Sequence, residues 1–284
     1  MHLQDVDVQF ICADLRDFDQ ARKIVEGADC VYHLAAKVGS VEYLHGSPIA
    51  ELDALQTNLA IDINVMKASL EANVQKMIYS SSAGVYPIHL QQNQGVHFAE
   101  EDITPINPDG GYGWAKLIGE ISLDLNGACK SGIARIFNAY GEYSELGENA
   151  QVIPALIRKA VNYPKEPFAI WGDGTPTRNF IYIKDCVKAL LKLEQHARYP
   201  PLKVNVGNPT ETVTIKQLAE KIVTASGKKI QVTFEPAMPR GCLSRTPDVE
   251  LAEKELDWKP ETPLQEGLER TYRWADQFLN SSTK

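Results

Sequence analysis

Two apolar runs, Cys30-Val-Tyr-His-Leu-Ala-Ala36 and Lys76-Met-Ile-Tyr-Ser80, flank a long stretch from Ile49 to Ala72 with helical spacing and no proline or glycine inside it. Runs of this length bounded by polar residues read as buried strands, and the stretch between them as the helix of a crossover. Strand and helix in alternation predict a parallel sheet covered on both faces. In such sheets ligands sit beyond the carboxyl ends of the strands. Asp14, His33 to Ala36 and Ser80 to Ser82 fall at those ends.

Working outward, Val8 to Ala13 predicts a further strand, broken by Asp14-Leu15-Arg16-Asp17. Phe18 to Glu26 predicts a helix stopped by Gly27, because glycine tolerates the left-handed conformation that ends a helix. Beyond Pro87 the sequence is irregular and polar until a helix over 112–126 and a strand over Gly132–Phe137. Helices follow over Val152–Val161, Ile181–Glu194, Thr214–Ser226 (capped by Gly227), Leu251–Leu256 and Leu264–Phe278, with a short strand at Val204–Val206. No internal repeat and no linker interrupts this order. The expected class is α/β: 1–141 forms a sheet domain, and 142–284 is mainly a smaller lobe interleaved with it.

Of the 284 residues, 44% are apolar and 23% charged, the balance of a soluble globular protein. The net charge of -8 argues against nucleic acid or an anionic membrane as partner. The five cysteines (Cys12, Cys30, Cys129, Cys186, Cys242) show no metal spacing and read as reduced thiols. No apolar run approaches the ~18 residues of a membrane span. The opening residues lack the basic and apolar regions of a signal peptide. The expected location is therefore the cytoplasm. His33 and His89 have no ligand-like spacing and read as packed or exposed polar residues.

Tyr112-Gly-Trp-Ala-Lys116 places a tyrosine and a lysine one helical turn apart on one face. A nearby ammonium favours the phenolate, so this spacing predicts a lowered tyrosine pKa and a group able to take a proton from a hydroxyl. Ser80-Ser81-Ser82-Ala83-Gly84-Val85-Tyr86-Pro87 lies upstream. Arg135-Ile136-Phe137-Asn138-Ala139-Tyr140-Gly141, Trp171-Gly172-Asp173-Gly174 and Thr177-Arg178-Asn179-Phe180 lie downstream. In that order these segments resemble the extended short-chain dehydrogenase/reductase family, the nucleotide-sugar epimerases and dehydratases, over nearly the whole chain.

The resemblance implies a Rossmann-like doubly wound sheet, NAD as cofactor, a nucleotide-diphosphate sugar as substrate, and a homodimer formed through 49–72 and 112–126. It implies catalytic roles for Ser82, Tyr112 and Lys116. Cofactor contacts are implied at Asp14, Leu15, Leu34, Ala35, Ala36, Lys37, Asn58, Ser80, Tyr112 and Lys116. Substrate contacts are implied at Gly39, Ser82, Ala83, Gly84, Asn138, Val152, Arg178 and Arg240. A guanidinium suits the diphosphate because its planar fork donates two hydrogen bonds at once. Asp185 reads as structural, bracing the helix that follows Tyr182.

Within the family, 4,6-dehydratases carry Asp-Glu where this chain has Ala83-Gly84. The 3,5-epimerase of GDP-mannose, which Tyr86-Pro87 and Trp171–Gly174 resemble, and fucose synthase carry a cysteine where Gly84 stands. Fucose synthase also has a histidine at the position of Gln151. Glycine and glutamine cannot relay protons to carbon 3, 5 or 6, which leaves hydride transfer through a keto sugar and makes a 4-epimerase the expected activity. The alternatives are a dehydratase, reductase or 3,5-epimerase, and a cofactor-poor sugar-nucleotide-binding subunit. The last gains weight from one departure: the family's Gly-x-x-Gly-x-x-Gly does not occur here, Gly27 being the only glycine before Gly39. The sheet is therefore expected to lack the first strand, glycine loop and helix, and to leave an edge exposed.

Overall fold

The structure, a computed structural model, describes residues 8–93, 95–238 and 241–281. Helix α1 (Phe18–Val25) opens on Asp17, whose carboxylate accepts from the amides of Asp19 and Gln20. Strand β1 (Cys30–His33) leads to α2 (Val41–His45) and the long α3 (Pro48–Glu71). Ser47 caps α3 and Pro48 begins it, a position where the missing N–H costs no helical hydrogen bond. Strand β2 (Lys76–Ser82), the two-residue β3 (His97–Phe98), helix α4 (Gly110–Leu125) and strand β4 (Lys130–Ile136) follow.

The second half contributes β5 (Ala139–Tyr140), α5 (Val152–Asn162), β6 (Ala169–Trp171), β7 (Thr177–Asn179), β8 (Ile181–Tyr182) and α6 (Ile183–Gln195). It continues through β9 (Leu202–Val206), β10 (Thr212–Thr214), α7 (Ile215–Ser226), β11 (Thr233–Glu235), β12 (Thr246–Pro247), α8 (Glu250–Leu256) and α9 (Leu264–Ser281). Helix α7 starts in a capping box of Thr214 and Gln217 and ends at Gly227, φ +63°.

The main sheet is parallel, in the order β1-β2-β4-β9, so a strand from the second half completes it. Alternate residues of β2 face opposite layers, and both layers are apolar. Met77 and Tyr79 pack with Val65, Met66, Leu123 and Ile133 on the side of α3 and α4. Ile78 packs with Ala134, Leu190, Leu193, Val204 and Trp258 on the side of α6. Burial on both faces explains why these strands read as continuous apolar runs. A second core gathers α5, α7 and α9 around Ile153, Phe168, Leu218, Ile222 and Leu268.

Asp185 braces this arrangement, accepting from the amides of Glu261 and Thr262 while its own carbonyl accepts from Trp258 Nε1. Among the described residues no helix is long and apolar enough to cross a membrane, and no metal-holding cluster occurs.

One predicted strand is not a strand. Val8 to Ala13 joins no ladder, and Val8, Phe10 and Ile11 are exposed. A strand needs a neighbour to take its amides and carbonyls; β1 is the last strand on that side of the sheet, and no described residue pairs with its outer edge. The helix expected from Ile181 begins at Ile183, because Ile181 and Tyr182 pair with Ala139 and Tyr140 instead.

Candidate active site

The carboxyl end of β2 runs into a 3-10 turn, Ala83–Val85, whose first amides are met by the chain itself: Ser82 Oγ accepts from Gly84 N at 3.1 Å. Helix α4 is docked against that turn. Asp109 N donates to the Gly84 carbonyl at 2.8 Å. A Cβ on Gly113 would lie 2.4 Å from the same carbonyl oxygen, so only glycine permits this approach. Glu51 of α3 accepts from Gly111 N at 2.5 Å, where the α4 capping residue offers no side-chain bond, and His45 Nδ1 lies 2.6 Å from the same carboxylate. These contacts hold Tyr112, in the first turn of α4, over the end of β2, where its ring and Ser82 both border Gly84.

Burial pushes the Tyr112 phenol up to about 12; the Ser82 hydrogen bond and the Arg245 charge oppose this, and the Asp62 charge adds to it. The Tyr112–Lys116 spacing predicts the opposite direction, and burial of the phenol overrides it. Lys116 Nζ lies 4.6 Å over the ring of Tyr79, and it has no hydrogen-bond partner among the described residues. The ammonium is itself weakened by burial, with Asp62 opposing.

Gly84 touches this cluster directly. A Cβ there would meet Ser82 Oγ at 3.5 Å, Gly113 Cα at 3.5 Å and Tyr112 Cδ1 at 3.7 Å, all ordinary contacts. Ala83, beside it, is buried against Val85, Phe98 and Leu117. Arg178 donates to the carbonyls of Thr177 (2.7 Å) and Cys242 (2.8 Å), and burial lowers its pKa. Arg245, which sequence reasoning missed, ion-pairs with Asp109, donates to Gln91 at 2.7 Å and interacts with Tyr112. It stands in an irregular segment with no helical or strand pattern, and only the fold brings it to α4. Asn138 has φ +48° and donates to the Asn179 carbonyl at 2.9 Å. Val152 starts α5 and packs against the second core. Arg240 lies outside the described residues.

The other predicted contacts follow β1 and border α3. Leu34 is exposed, and Ala35 and Ala36 are half-buried. Asn58, buried, accepts from Lys37 N at 2.7 Å and donates to the Lys37 and Ala54 carbonyls. The Lys37 side chain ion-pairs with Asp53. Gly39 meets the ring of Tyr43, where a Cβ would collide. Ser80 Oγ donates to the His33 carbonyl at 3.0 Å. Asp14 is held by Arg16, which keeps its carboxyl well below the usual range, and Asn64 of α3 donates to the carbonyls of Leu15 and Arg16.

A serine, a tyrosine and a buried lysine at the end of a central parallel strand can exchange a proton with an alcohol. Comparison with known proteins shows the family. The model of the NAD dependent epimerase/dehydratase family matches residues 2–207. The chain belongs to this family. Among its relatives is GDP-mannose 3,5-epimerase of Arabidopsis thaliana, 30% identical over 277 residues, which cover 95% of this chain and 71% of that protein. GDP-L-fucose synthase of Sinorhizobium fredii is 30% identical over 294 residues, covering 95% of this chain and 88% of that protein. In fold the chain is similar to a Thermotoga maritima UDP-glucose 4-epimerase solved with UDP-glucose, with TM-score 0.84 at 23% identity over 98% of this chain and 88% of that one. It is also similar to a UDP-N-acetylglucosamine 4-epimerase of Methanobrevibacter ruminantium, with TM-score 0.80 at 26% identity over 99% and 87%.

The family is NAD-dependent, and the residues at the end of β2 fit the nicotinamide-ribose half of that cofactor. A buried ammonium with no hydrogen-bond partner is costly unless a ligand hydroxyl meets it. Lys116 is such a group, beside Tyr112.

Proposed function

We propose that this member of the family is a nucleotide-sugar 4-epimerase. The observation that carries the reading is the meeting of Ser82 and Tyr112 at the bare backbone of Gly84, where a Cβ would lie 3.5 Å from Ser82 Oγ and 3.7 Å from Tyr112 Cδ1. Ser82 would orient the reacting sugar hydroxyl and Tyr112 would accept its proton. Lys116 would hold the ribose of NAD and Arg178 the substrate diphosphate, with Asn138 beside it. Bound NAD would supply reversible hydride acceptance at the sugar carbon. The keto sugar would then turn over in the site, so that the hydride would return to the opposite face of the carbon while Tyr112 would give the proton back to the oxygen. With glycine at 84 no side chain at that position can exchange protons at the neighbouring carbons.

The second reading is a 3,5-epimerase or reductase, favoured by the 30% identity to GDP-mannose 3,5-epimerase and fucose synthase. Turnover of UDP-, GDP- and dTDP-sugars in deuterium oxide separates the two. Inversion at carbon 4 with no deuterium at carbons 3 and 5 is expected; deuterium at either carbon replaces this reading by the second. A non-catalytic binding subunit is the outcome if every sugar nucleotide binds and none reacts.

The reading includes a homodimer in the cytoplasm. Exposed apolar side chains on α3 (Ile49, Leu52, Ile63) and α4 (Trp114, Ile121, Leu125) support pairing through these helices. Sedimentation at micromolar concentration tests it, with Leu125→Glu expected to give monomers.

A further inference from the structure

Lys116 is 1% exposed, and its ammonium has no hydrogen-bond acceptor among the described residues. A charge so placed persists only if an opposite charge lies nearby. Two buried carboxylates stand close to it along the chain's packing. Glu120, one turn further along α4, is already committed: Arg135 donates to both its oxygens (3.0 and 2.8 Å), and Ser81 donates to one. Its charge is matched by that guanidinium. Asp62 of α3, 2% exposed, is held differently. Tyr79 Oη donates to its Oδ2 at 2.6 Å, and its Oδ1 lies 2.8 Å from His33 Nε2. Tyr79 is a neutral donor, so its hydrogen bond brings the carboxylate no counter-charge. The face of the same Tyr79 ring receives the Lys116 ammonium at 4.6 Å.

We propose that Asp62 is a positioning residue, the buried counter-charge that keeps Lys116 an ammonium beneath Tyr112, with Tyr79 as the bridge between them. The ring presents its electron-rich face to Nζ and its hydroxyl to the carboxylate, so one side chain fixes the distance between the two charges. The groups facing this pair come from every packed element: His33 on β1, Tyr79 on β2, Tyr112 and Glu120 on α4, and Arg245 beside Tyr112. Of these Arg245 is matched by Asp109 and Glu120 by Arg135. Asn58, one turn before Asp62, cannot serve in its place, because its amide is spent on Lys37 and Ala54. Nothing in the sequence marks Asp62; its place on α3 opposite Lys116 is a property of the packing.

The inference rests on the proposed role of Lys116, but its test needs neither sugar nor cofactor, so failure of the 4-epimerase reading leaves it standing. The side chain of Lys116 is titrated by NMR in lysine-labelled protein, its signal being the one absent from Lys116→Met. Asp62→Asn, which keeps hydrogen bonding and removes the charge, should lower the Lys116 midpoint by about one pH unit or more, the effect of a nearby opposite charge. Tyr79→Phe should lower it less. An unchanged midpoint in folded Asp62→Asn overturns the proposal. A double-mutant cycle covers a variant that folds poorly. The urea midpoint should fall on Asp62→Asn when Lys116 is present and fall less in the Lys116→Met background. Recovery of an insoluble Asp62→Asn by Lys116→Met supports the proposal equally. Additive losses, or insolubility in both backgrounds, would show that the carboxylate serves something other than Lys116.

Discussion

Lys116 Nζ lies over the face of the Tyr79 ring, 4.6 Å from its centroid, and the same ring donates its hydroxyl to Asp62 at 2.6 Å. This relationship decides the ionic character of the site. The ammonium has no hydrogen-bond acceptor among the described residues, and burial governs the phenol of Tyr112.

Replacing Lys116 by methionine should remove turnover and lower the urea midpoint. The substitution strips the buried Asp62 carboxylate of its counter-charge, and an uncompensated buried charge is destabilising. Asp62 keeps only Tyr79 and His33 as hydrogen-bond partners. Urea denaturation checks the sign; a higher midpoint for Lys116→Met would mean that the desolvation of Nζ outweighs its attraction to Asp62.

Tyr112→Phe should reduce turnover by about 100-fold or more, the scale of a lost general acid/base, with the fold kept. In the wild type the base form should gain population as pH rises, because the phenol is pushed from its ordinary 10.0 to about 12. The sign for stability is the reverse. A group whose pKa is raised by folding stabilises fully below its unfolded value, and this contribution is lost as pH climbs from about 10 to about 12. Phenylalanine should abolish both dependences, measured as the alkaline limb of kcat/KM and as the urea midpoint against pH.

Gly113→Ala is expected to destabilise by about 1–3 kcal/mol, the range of an overpacked core. The new Cβ would sit 2.4 Å from the Gly84 carbonyl oxygen, a backbone atom that cannot rotate away. Helix α4 must shift, carrying Tyr112 off the end of β2, so turnover should fall together with stability. By contrast Gly84→Ala, whose Cβ meets its neighbours at 3.5 Å and beyond, should fold as well as the wild type. Thermal melts of the two variants side by side make the comparison.

NAD should bind the 284-residue chain weakly. Dinucleotide affinity in this fold leans on backbone amides of a glycine loop at a helix N-terminus, and the sequence holds no Gly-x-x-Gly-x-x-Gly. Several hydrogen bonds to a charged group, about 1.5–3 kcal/mol each, are then missing. Calorimetric titration decides it, and micromolar binding by the 284 residues would require another group on the diphosphate.

The sequence by itself determined the strand–helix alternation, because burial on both sheet faces forces apolar runs such as Met77 to Tyr79 and leaves the polar residues of Ser80 to Ser82 at the strand end. It also placed Tyr112 and Lys116 one helical turn apart and a serine run at a strand end, since helical spacing and strand position are local properties. Only the tertiary structure decided what those groups experience. How closely α4 packs on the end of β2 depends on Gly113 and Gly119, where a Cβ would collide with the Gly84 carbonyl and the Tyr79 hydroxyl. Whether Val8 to Ala13 becomes a strand depends on a neighbouring ladder, which no local pattern supplies. Asp62 and Arg245 join the site from α3 and from an irregular segment far along the chain. Charges act through space, and the order of residues records nothing of that distance until the chain is folded.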